Sequence, residues 1–324
     1  MLRKVSAALA GLLALLAVTV VAAAADYPDR PVTLVVGFPP GGASDILARI
    51  LTDKLGKLLG QPFIVDNRPG AGGNVAGEIV AHAAPDGYTL LLGNNAILAT
   101  NLTLYSKINF DPERDFAPIT LVGTQANVLV VNNNVPAHSL AELIALAKAN
   151  PGKLNFASSG YGLAAHLAGE LFKAQAHIDI VHVPYKGSAP ALEDVIAGQD
   201  QMMFATASGV MGFLKNGQVR ALAVTTLKRT AILPDIPTMD EAGLPGFEAT
   251  TWHGLVAPAG TPPAVIDTLH RAVVETLKDP DVRQKLAALG VDIAPDSPDE
   301  FAAYIKAEIP KWAAIIKASG AHME

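Results

Sequence analysis

Short apolar runs alternate along the chain with stretches of helical periodicity. Residues 31–37 form an apolar run rich in Val that ends at Pro39-Pro40-Gly41-Gly42, the pattern of a buried strand followed by a turn. Ile46, Leu47, Ile50, Leu51 and Leu55 then recur at the i, i+3, i+4 spacing of an amphipathic helix, entered at Ser44-Asp45 and stopped near Gly60. A second strand is expected at 63–66, a helix at 74–83 after the loop Asn67-Arg68-Pro69-Gly70-Ala71-Gly72-Gly73, and a third strand at 89–92. The alternation restarts after about residue 125. Strands are expected at 128–131, 154–157, 180–183, 201–204 and 220–225, with helices opened by Ser139 and Glu142, after Gly160-Tyr161-Gly162, and at 188–197. A Pro- and Gly-rich return connection at 233–246 precedes a short strand at 252–257 and helices at 263–277, 281–289 and 298–318. Strand-helix alternation of this kind predicts an α/β protein with parallel sheets flanked by helices, in two units of similar design followed by a helical tail.

The first residues follow a different pattern. Arg3 and Lys4 precede an uncharged apolar run at 5–21, and Ala23-Ala24-Ala25 supplies a small-residue cleavage site before Asp26. This is the layout of a secretory signal peptide at 1–25. The competing reading is a membrane anchor, and the polyalanine end without flanking charge favours cleavage. No later segment is long and apolar enough to span a bilayer, so the mature chain is expected to be soluble and exported. Removing Arg3 and Lys4 from the 24 basic residues leaves 22 against 30 acidic ones, a formal charge of −8 in place of −6. This acidity argues against a nucleic-acid surface. The absence of cysteine excludes disulfides, thiolate metal sites, a cysteine nucleophile and a lipid-anchoring cysteine.

Candidate chemistry concentrates in small-residue loops at the ends of expected strands. Phe38-Pro39-Pro40-Gly41-Gly42-Ala43-Ser44-Asp45 opens a helix, where glycine admits a close ligand and free N–H groups at the positive end of the dipole favour an anion. The bland alternative is that Ser44 or Asp45 only caps the helix and that Asp45 pairs with Arg49 four residues on. Gly93-Asn94-Asn95, Ser158-Ser159-Gly160-Tyr161-Gly162 and Tyr185-Lys186-Gly187-Ser188 occupy equivalent places, and together they point to one cleft between two units. Gly160-Tyr161-Gly162-Leu163-Ala164-Ala165, with Asp179 downstream, is a short match to a dinucleotide loop, but export removes the cofactor pool and no cofactor is expected. No nucleophile elbow, zinc-protease helix or phosphate loop occurs, and the eight histidines are dispersed. Ser158 or Ser159 with His166 is the best nucleophile-base pair available to an exported α/β hydrolase, on closeness in sequence alone. His166 and His253 are each open to a structural or a ligand-contacting reading, and Trp252 reads as packing. Lys186 is open to a solvated or an anion-contacting one.

These residues resemble the Bug-type receptors, the periplasmic substrate-binding proteins of tripartite tricarboxylate transporters. The resemblance spans essentially the whole chain. It includes Tyr27-Pro28, Arg30-Pro31, Phe38-Pro39-Pro40-Gly41-Gly42 with Asp45 and Ala48-Arg49, the loop at 67–73, Asp86-Gly87-Tyr88 and Asp115-Phe116-Ala117-Pro118. It continues through His166-Leu167-Ala168-Gly169-Glu170, Pro184-Tyr185-Lys186-Gly187, Leu233-Pro234-Asp235-Ile236-Pro237-Thr238 and Ala257-Pro258-Ala259-Gly260-Thr261-Pro262. It implies a two-lobed, type II-like binding protein, with each lobe a mostly parallel sheet flanked by helices, that closes on a small organic acid. Lobe one would comprise 26–124 and 248–324, and lobe two 125–247. The ligand would be a mono- or dicarboxylate, an amino acid or an aromatic acid, held through water and backbone groups and passed by a monomeric, non-enzymatic receptor to a membrane permease. A role toward a sensor kinase is compatible with the same binding. Carried across, the ligand-binding positions are Phe38, Gly41, Gly42, Ala43, Ser44, Asp45, Asn94 and Asn95 in lobe one, and Ser158, Gly160, His166, Tyr185, Lys186, Gly187, Ala205 and Thr206 in lobe two. Trp252-His253-Gly254 departs from the family's frequent Trp-Tyr-Gly or Trp-Phe-Gly, and His253, if it reaches the cleft, adds a donor or a pH-dependent charge there. No metal is implied.

Overall fold

The computed structural model describes residues 27–323, so the expected signal segment lies outside the described residues. From the N-terminus, β1 (Val32–Val36) leads to α1 (Ala43–Leu59), β2 (Phe63–Asn67), α2 (Asn74–Ala81) and β3 (Thr89–Asn94). A π-helical turn (Ala96–Thr100) runs into α3 (Asn101–Leu104), and β4 (Phe116–Gln125) follows. The second unit is β5 (Asn127–Asn132), α4 (Leu140–Ala149), β6 (Asn155–Ser158), α5 (Ala164–Ala176), β7 (Val181–Pro184), α6 (Ser188–Ala197), β8 (Met202–Thr206), α7 (Ala207–Lys215) and β9 (Val219–Val224). The chain closes with β10 (Thr251–Pro258), α8 (Pro263–Lys278), α9 (Pro280–Ala288), β11 (Val291–Ile293) and α10 (Pro298–Ser319).

These elements form two lobes, each a helix-flanked sheet. The six-stranded sheet has the order β11-β4-β10-β3-β1-β2, and the five-stranded sheet β7-β6-β8-β5-β9. Parallel pairing is confined to one half of each sheet, β2-β1-β3 and β7-β6-β8. The other half is antiparallel, because β10 returns from the second unit and inserts between β3 and β4, and β5 runs against both β8 and β9. Both sheets are therefore mixed, not mostly parallel. The strand β4, which the apolar pattern does not single out, carries Pro118, and a proline is normally excluded from a central ladder. It is accommodated at a bulge, where Leu255 pairs with Thr120 and Val256 with Pro118, skipping Ile119.

The chain crosses between the sheets at two adjacent places, from β4 into β5 and from β9 back to β10. Asn127 ties them together. Its N–H donates to Thr225 Oγ1 at 3.0 Å, its Nδ2 donates to the Ala249 carbonyl at 3.0 Å, and its carbonyl accepts from Thr225 N–H at 2.9 Å. Further contacts link the lobes. Gly162 lies against Leu104, leaving no room for a Cβ, and Gly290 faces Ser208. The helix α5 is buried on both sides, by Phe156 of its own sheet and by α10 of the other lobe.

A buried polar cluster fixes α10 on the first sheet. Glu308 Oε2 accepts from Trp252 Nε1 at 3.1 Å and from Trp312 Nε1 at 2.8 Å, while its Oε1 accepts from Lys311 Nζ at 2.6 Å. Trp252, fully buried, meets Phe301 and Tyr304 edge-on. Glu308→Ala strands two indole N–H groups in the interior, and it should lower the unfolding free energy in urea by about 3 kcal/mol. A loss below about 1 kcal/mol would show that the cluster does not hold the helix.

Candidate functional site

Because β1, β2 and β3 are parallel, the loops at 37–42, 67–73 and 94–95 emerge from one edge of the first sheet. The loops after β6, β7 and β8 likewise share one edge of the second. The β4–β5 crossing joins these two edges, so the carboxyl ends of the parallel strands in each lobe face each other across a cleft. This is where ligands sit in open α/β sheets.

The helices starting at this cleft differ from those starting elsewhere. The residues flanking the first turns of α1, α2, α5, α6 and α7 are Gly42, Gly73, Leu163, Gly187 and Thr206, and none provides a side-chain cap. Away from the cleft, Ser139 caps α4, Asp279 caps α9, and Ser297 with Glu300 forms a reciprocal capping box on α10. The helix α8 also lacks a cap, but its first position is proline and has no N–H to satisfy. Side-chain caps thus close the helix starts at the periphery and are absent at the cleft, where α2 and α7 draw on the backbone instead, Asn74 N–H donating to the Ala71 carbonyl and Ala207 N–H to the Ala126 carbonyl at 3.0 Å. The segment after β3 is the exception, since Asn94 Oδ1 accepts from Ile97 N–H at 3.1 Å.

Loop one is rigid around an open backbone. Asp45 is 2% exposed and turns away from the cleft. Its Oδ2 accepts from Gly41 N–H at 2.9 Å and Arg49 Nε at 3.0 Å, and its Oδ1 accepts from Asn67 Nδ2 at 3.0 Å and Arg49 Nη2 at 2.9 Å. The Arg49 hydrogen bonds above all, then those from Gly41 and Asn67, hold its carboxyl below the usual carboxylate range against the opposing cost of burial. Asn67 Nδ2 also donates to the Phe38 carbonyl at 3.0 Å. With both its oxygens so engaged, the Asp45 carboxylate shapes the loop. The N–H groups of Ala43, Ser44 and Asp45 have no acceptor among the described residues. Gly41 needs its positive φ of 83°, whereas Gly42 has an ordinary extended backbone and a Cβ there would meet only the Pro39 carbonyl at 3.5 Å.

His253 lies beneath this loop, on β10 beside Asn94, and is 4% exposed. Its Nε2 is 2.9 Å from Ser44 Oγ, and its Nδ1 is buried without a partner. Desolvation pushes its pKa down to about 4, so the ring is neutral at neutral pH.

The lobe-two loops are held by rings. His182 Nε2 lies 2.6 Å from Ser158 Oγ, and Gly160 N–H donates to the same oxygen at 3.2 Å. His166 does not touch Ser158. Its Nδ1 accepts from Gly162 N–H at 2.9 Å, and its ring stacks on His182 with centroids 4.0 Å apart. Tyr161 closes both rings edge-on. Burial, then the neighbouring His182 and Lys173, lower the His166 pKa to about 3, and burial followed by Lys173 lowers that of His182 to about 4. The Ser158–His182 pair is no hydrolytic dyad, because Ser158 is fully buried and His182 Nδ1 has no carboxylate to orient it.

The remaining positions divide in the same way. The Tyr185 hydroxyl lies 2.6 Å from Asp194 Oδ2 and 2.7 Å from Asp200 Oδ2, which occupies it inside lobe two. Ala205 is buried in the core of that lobe, Gly187 N–H donates to the Ser159 carbonyl at 3.1 Å, and Thr206 is exposed at the start of α7. Lys186 is exposed and makes no ion pair among the described residues, and Asn95 is buried without a hydrogen-bond partner there. The reading from the chain alone missed His182 as the partner of Ser158. Its signal was its place two residues before Pro184-Tyr185, on the strand neighbouring β6.

No helix among the described residues is long and apolar enough to cross a membrane. Residues 47–321 match the family described as the tripartite tricarboxylate transporter family receptor. The chain is 39% identical over 299 residues to protein BugT of Bordetella pertussis, covering 92% of each. Among solved structures it is similar to Rpa4515 of R. palustris with adipate, at 38% identity and a TM-score of 0.75 over 91% of this chain and 99% of that one. It is likewise similar to MatC of Rhodopseudomonas palustris with bound malate, at 34% identity and a TM-score of 0.71 over 90% and 100% of the two chains. With two lobes built on mixed sheets and a match over nearly its whole described length, the chain belongs to the tripartite tricarboxylate transporter receptor family, whose members are solute-binding receptors and not enzymes.

Proposed function

We propose that this protein is a periplasmic receptor that captures a small carboxylate between its lobes and hands it to a membrane permease. The observation that carries this reading is the set of uncapped first turns at the cleft. At α1, three adjacent N–H groups without acceptors end a 17-residue helix, and the one acidic side chain of that turn, Asp45, is bound by Gly41, Asn67 and Arg49 and caps none of them. An anion satisfies them at once, directly or through water. The relatives with adipate and malate are carboxylate binders of the same architecture, and the family description supports a permease as the receiving partner.

Lobe one comprises 26–124 with 248–324 and lobe two 125–247, and the paired crossings at Asn127 and Thr225 act as the hinge. In lobe one the contacts come from the backbone of Gly42 through Asp45, the Ser44 hydroxyl, and the amides of Asn94 and Asn95. In lobe two they come from the first turns of α5, α6 and α7 and from Lys186. Phe38, Gly41, Asp45, Ser158, Gly160, His166, Tyr185 and Gly187 shape these loops. No catalytic group is required, and the protein acts as a monomer. Export through the segment at 1–25 places it where such solutes arrive.

Protein freed of bound ligand should gain about 5 °C in melting temperature when adipate or malate is added at about 100 times its dissociation constant. A panel of mono- and dicarboxylates without any shift would contradict the reading. Gly42→Val should fold normally, since its backbone and surroundings admit a side chain, yet lose at least about tenfold in affinity because the side chain covers the N–H groups. Asp45→Ala should cost less affinity than Gly42→Val, with a lower melting temperature as its main effect. Unchanged binding by folded Gly42→Val, measured calorimetrically, would rule out this loop.

A further inference from the structure

His253 and Ser44 form a buried pair whose hydrogens can be placed by elimination. If Ser44 donated to His253 Nε2, the ring proton would sit on Nδ1, leaving a buried N–H with no acceptor. If His253 Nε2–H donates to Ser44 Oγ, only a ring lone pair is left unpaired. An orphaned N–H is the rarer and costlier of the two in protein interiors. The second arrangement also leaves the Ser44 hydroxyl hydrogen uncommitted, on the first turn of the helix whose N–H groups face the cleft.

We propose that His253 is a positioning residue for the anion site, which by donating to Ser44 Oγ makes the Ser44 hydroxyl a committed donor to the ligand carboxylate. This rests on the carboxylate reading above. It also makes binding sensitive to protons. Protonating the bare Nδ1 leaves the Ser44 bond intact but buries an unpartnered N–H and a charge, a cost that holds the free ring neutral. A bound carboxylate offsets part of that cost, so it favours protonation of the ring and, reciprocally, protonation favours the bound anion. No other histidine near the cleft combines these properties. Protonating His166 at Nδ1 would break its bond from Gly162, and the Ser158 hydroxyl can turn to the Gly160 carbonyl at 3.2 Å in a fully buried position. Burial is the one influence that shifts His253, although Glu78 of α2 and Glu308 of α10, the latter bonded to Trp252, lie on helices packed against β10. The flanking strands β3 and β4 carry no charged residue, Asp292 of β11 lies beyond β4 and pairs with Thr124, and α1 brings the internally compensated Asp45–Arg49 pair, with Asp53, Lys54 and Lys57 further along.

The test begins on ligand-free protein with 15N-labelled histidine, where His253 should show a protonated Nε2 and a bare Nδ1. A protonated Nδ1 would overturn the proposal. Adipate binding is then measured calorimetrically, with malate used if adipate does not bind. Ser44→Ala and His253→Phe should each lose about tenfold in affinity, and the double variant should lose no more than either alone. Additive losses, or full affinity in folded His253→Phe, would overturn it. His253→Gln, which retains an N–H donor, should recover most of the loss. Between pH 7 and pH 5 the ratio of wild-type to His253→Phe affinity should rise roughly threefold, and protonation of the ligand itself cancels in that ratio. A flat ratio would overturn the proton linkage. Should neither acid bind the wild-type protein, the carboxylate reading fails for these ligands, while the tautomer still decides the assignment of Ser44.

Discussion

Every helix begins with backbone N–H groups that the helix itself cannot satisfy, and this fold handles that requirement differently at its periphery and at its cleft. Ser139, Asp279 and Ser297 close the outer helix starts with side-chain oxygens. At the cleft, Gly42, Gly73 and Gly187 stand where a capping serine or aspartate would ordinarily be. The mixed sheets bring these open turns together, because β10 returns between β3 and β4 and the crossings lie at the carboxyl ends of the parallel strands. Binding capacity then follows from unsatisfied backbone polarity, held rigid by side chains that point away from the ligand.

The same arrangement explains how an acidic protein takes an anion. A formal charge of −6 for the chain gives no long-range attraction, and the one carboxylate in loop one is neutralised by Arg49. What remains at the surface of that loop is a set of dipoles with no net charge, so affinity is local. The histidines fit this economy of charge. Burial keeps His166, His182 and His253 neutral, and as neutral rings they act as hydrogen-bonding struts for loops at 160–162, 158–160 and 42–45.

Much of this was legible from residue order. The run at 31–37 and the helical spacing from Ile46 to Leu55 appear as β1 and α1, and the Pro-Pro-Gly-Gly turn sits between them. Strand β4 was hidden by Pro118, whose tolerance depends on a bulge against Val256 that only the pairing partner creates. The π-helical turn at Ala96–Thr100 and the short helix after it carry too few residues for a periodic signal. Site positions were legible as loops, because glycine and strand ends are local features. Their roles were not. Whether Asp45 faces ligand or Asn67, whether Ser158 meets His166 or His182, and whether Tyr185 is free or held by Asp194 and Asp200 all depend on contacts between distant segments or neighbouring turns that no spacing encodes.

The central claim is that open helix starts, and not side-chain charge, receive the ligand. It is tested most directly by following backbone amide resonances of the 15N-labelled protein as adipate or malate is added. The account predicts large shifts at Ala43, Ser44 and Asp45 and at first-turn amides of α5 and α7, with the capped first turns of α4, α9 and α10 unmoved. Saturable binding that leaves Ala43, Ser44 and Asp45 unshifted would contradict it.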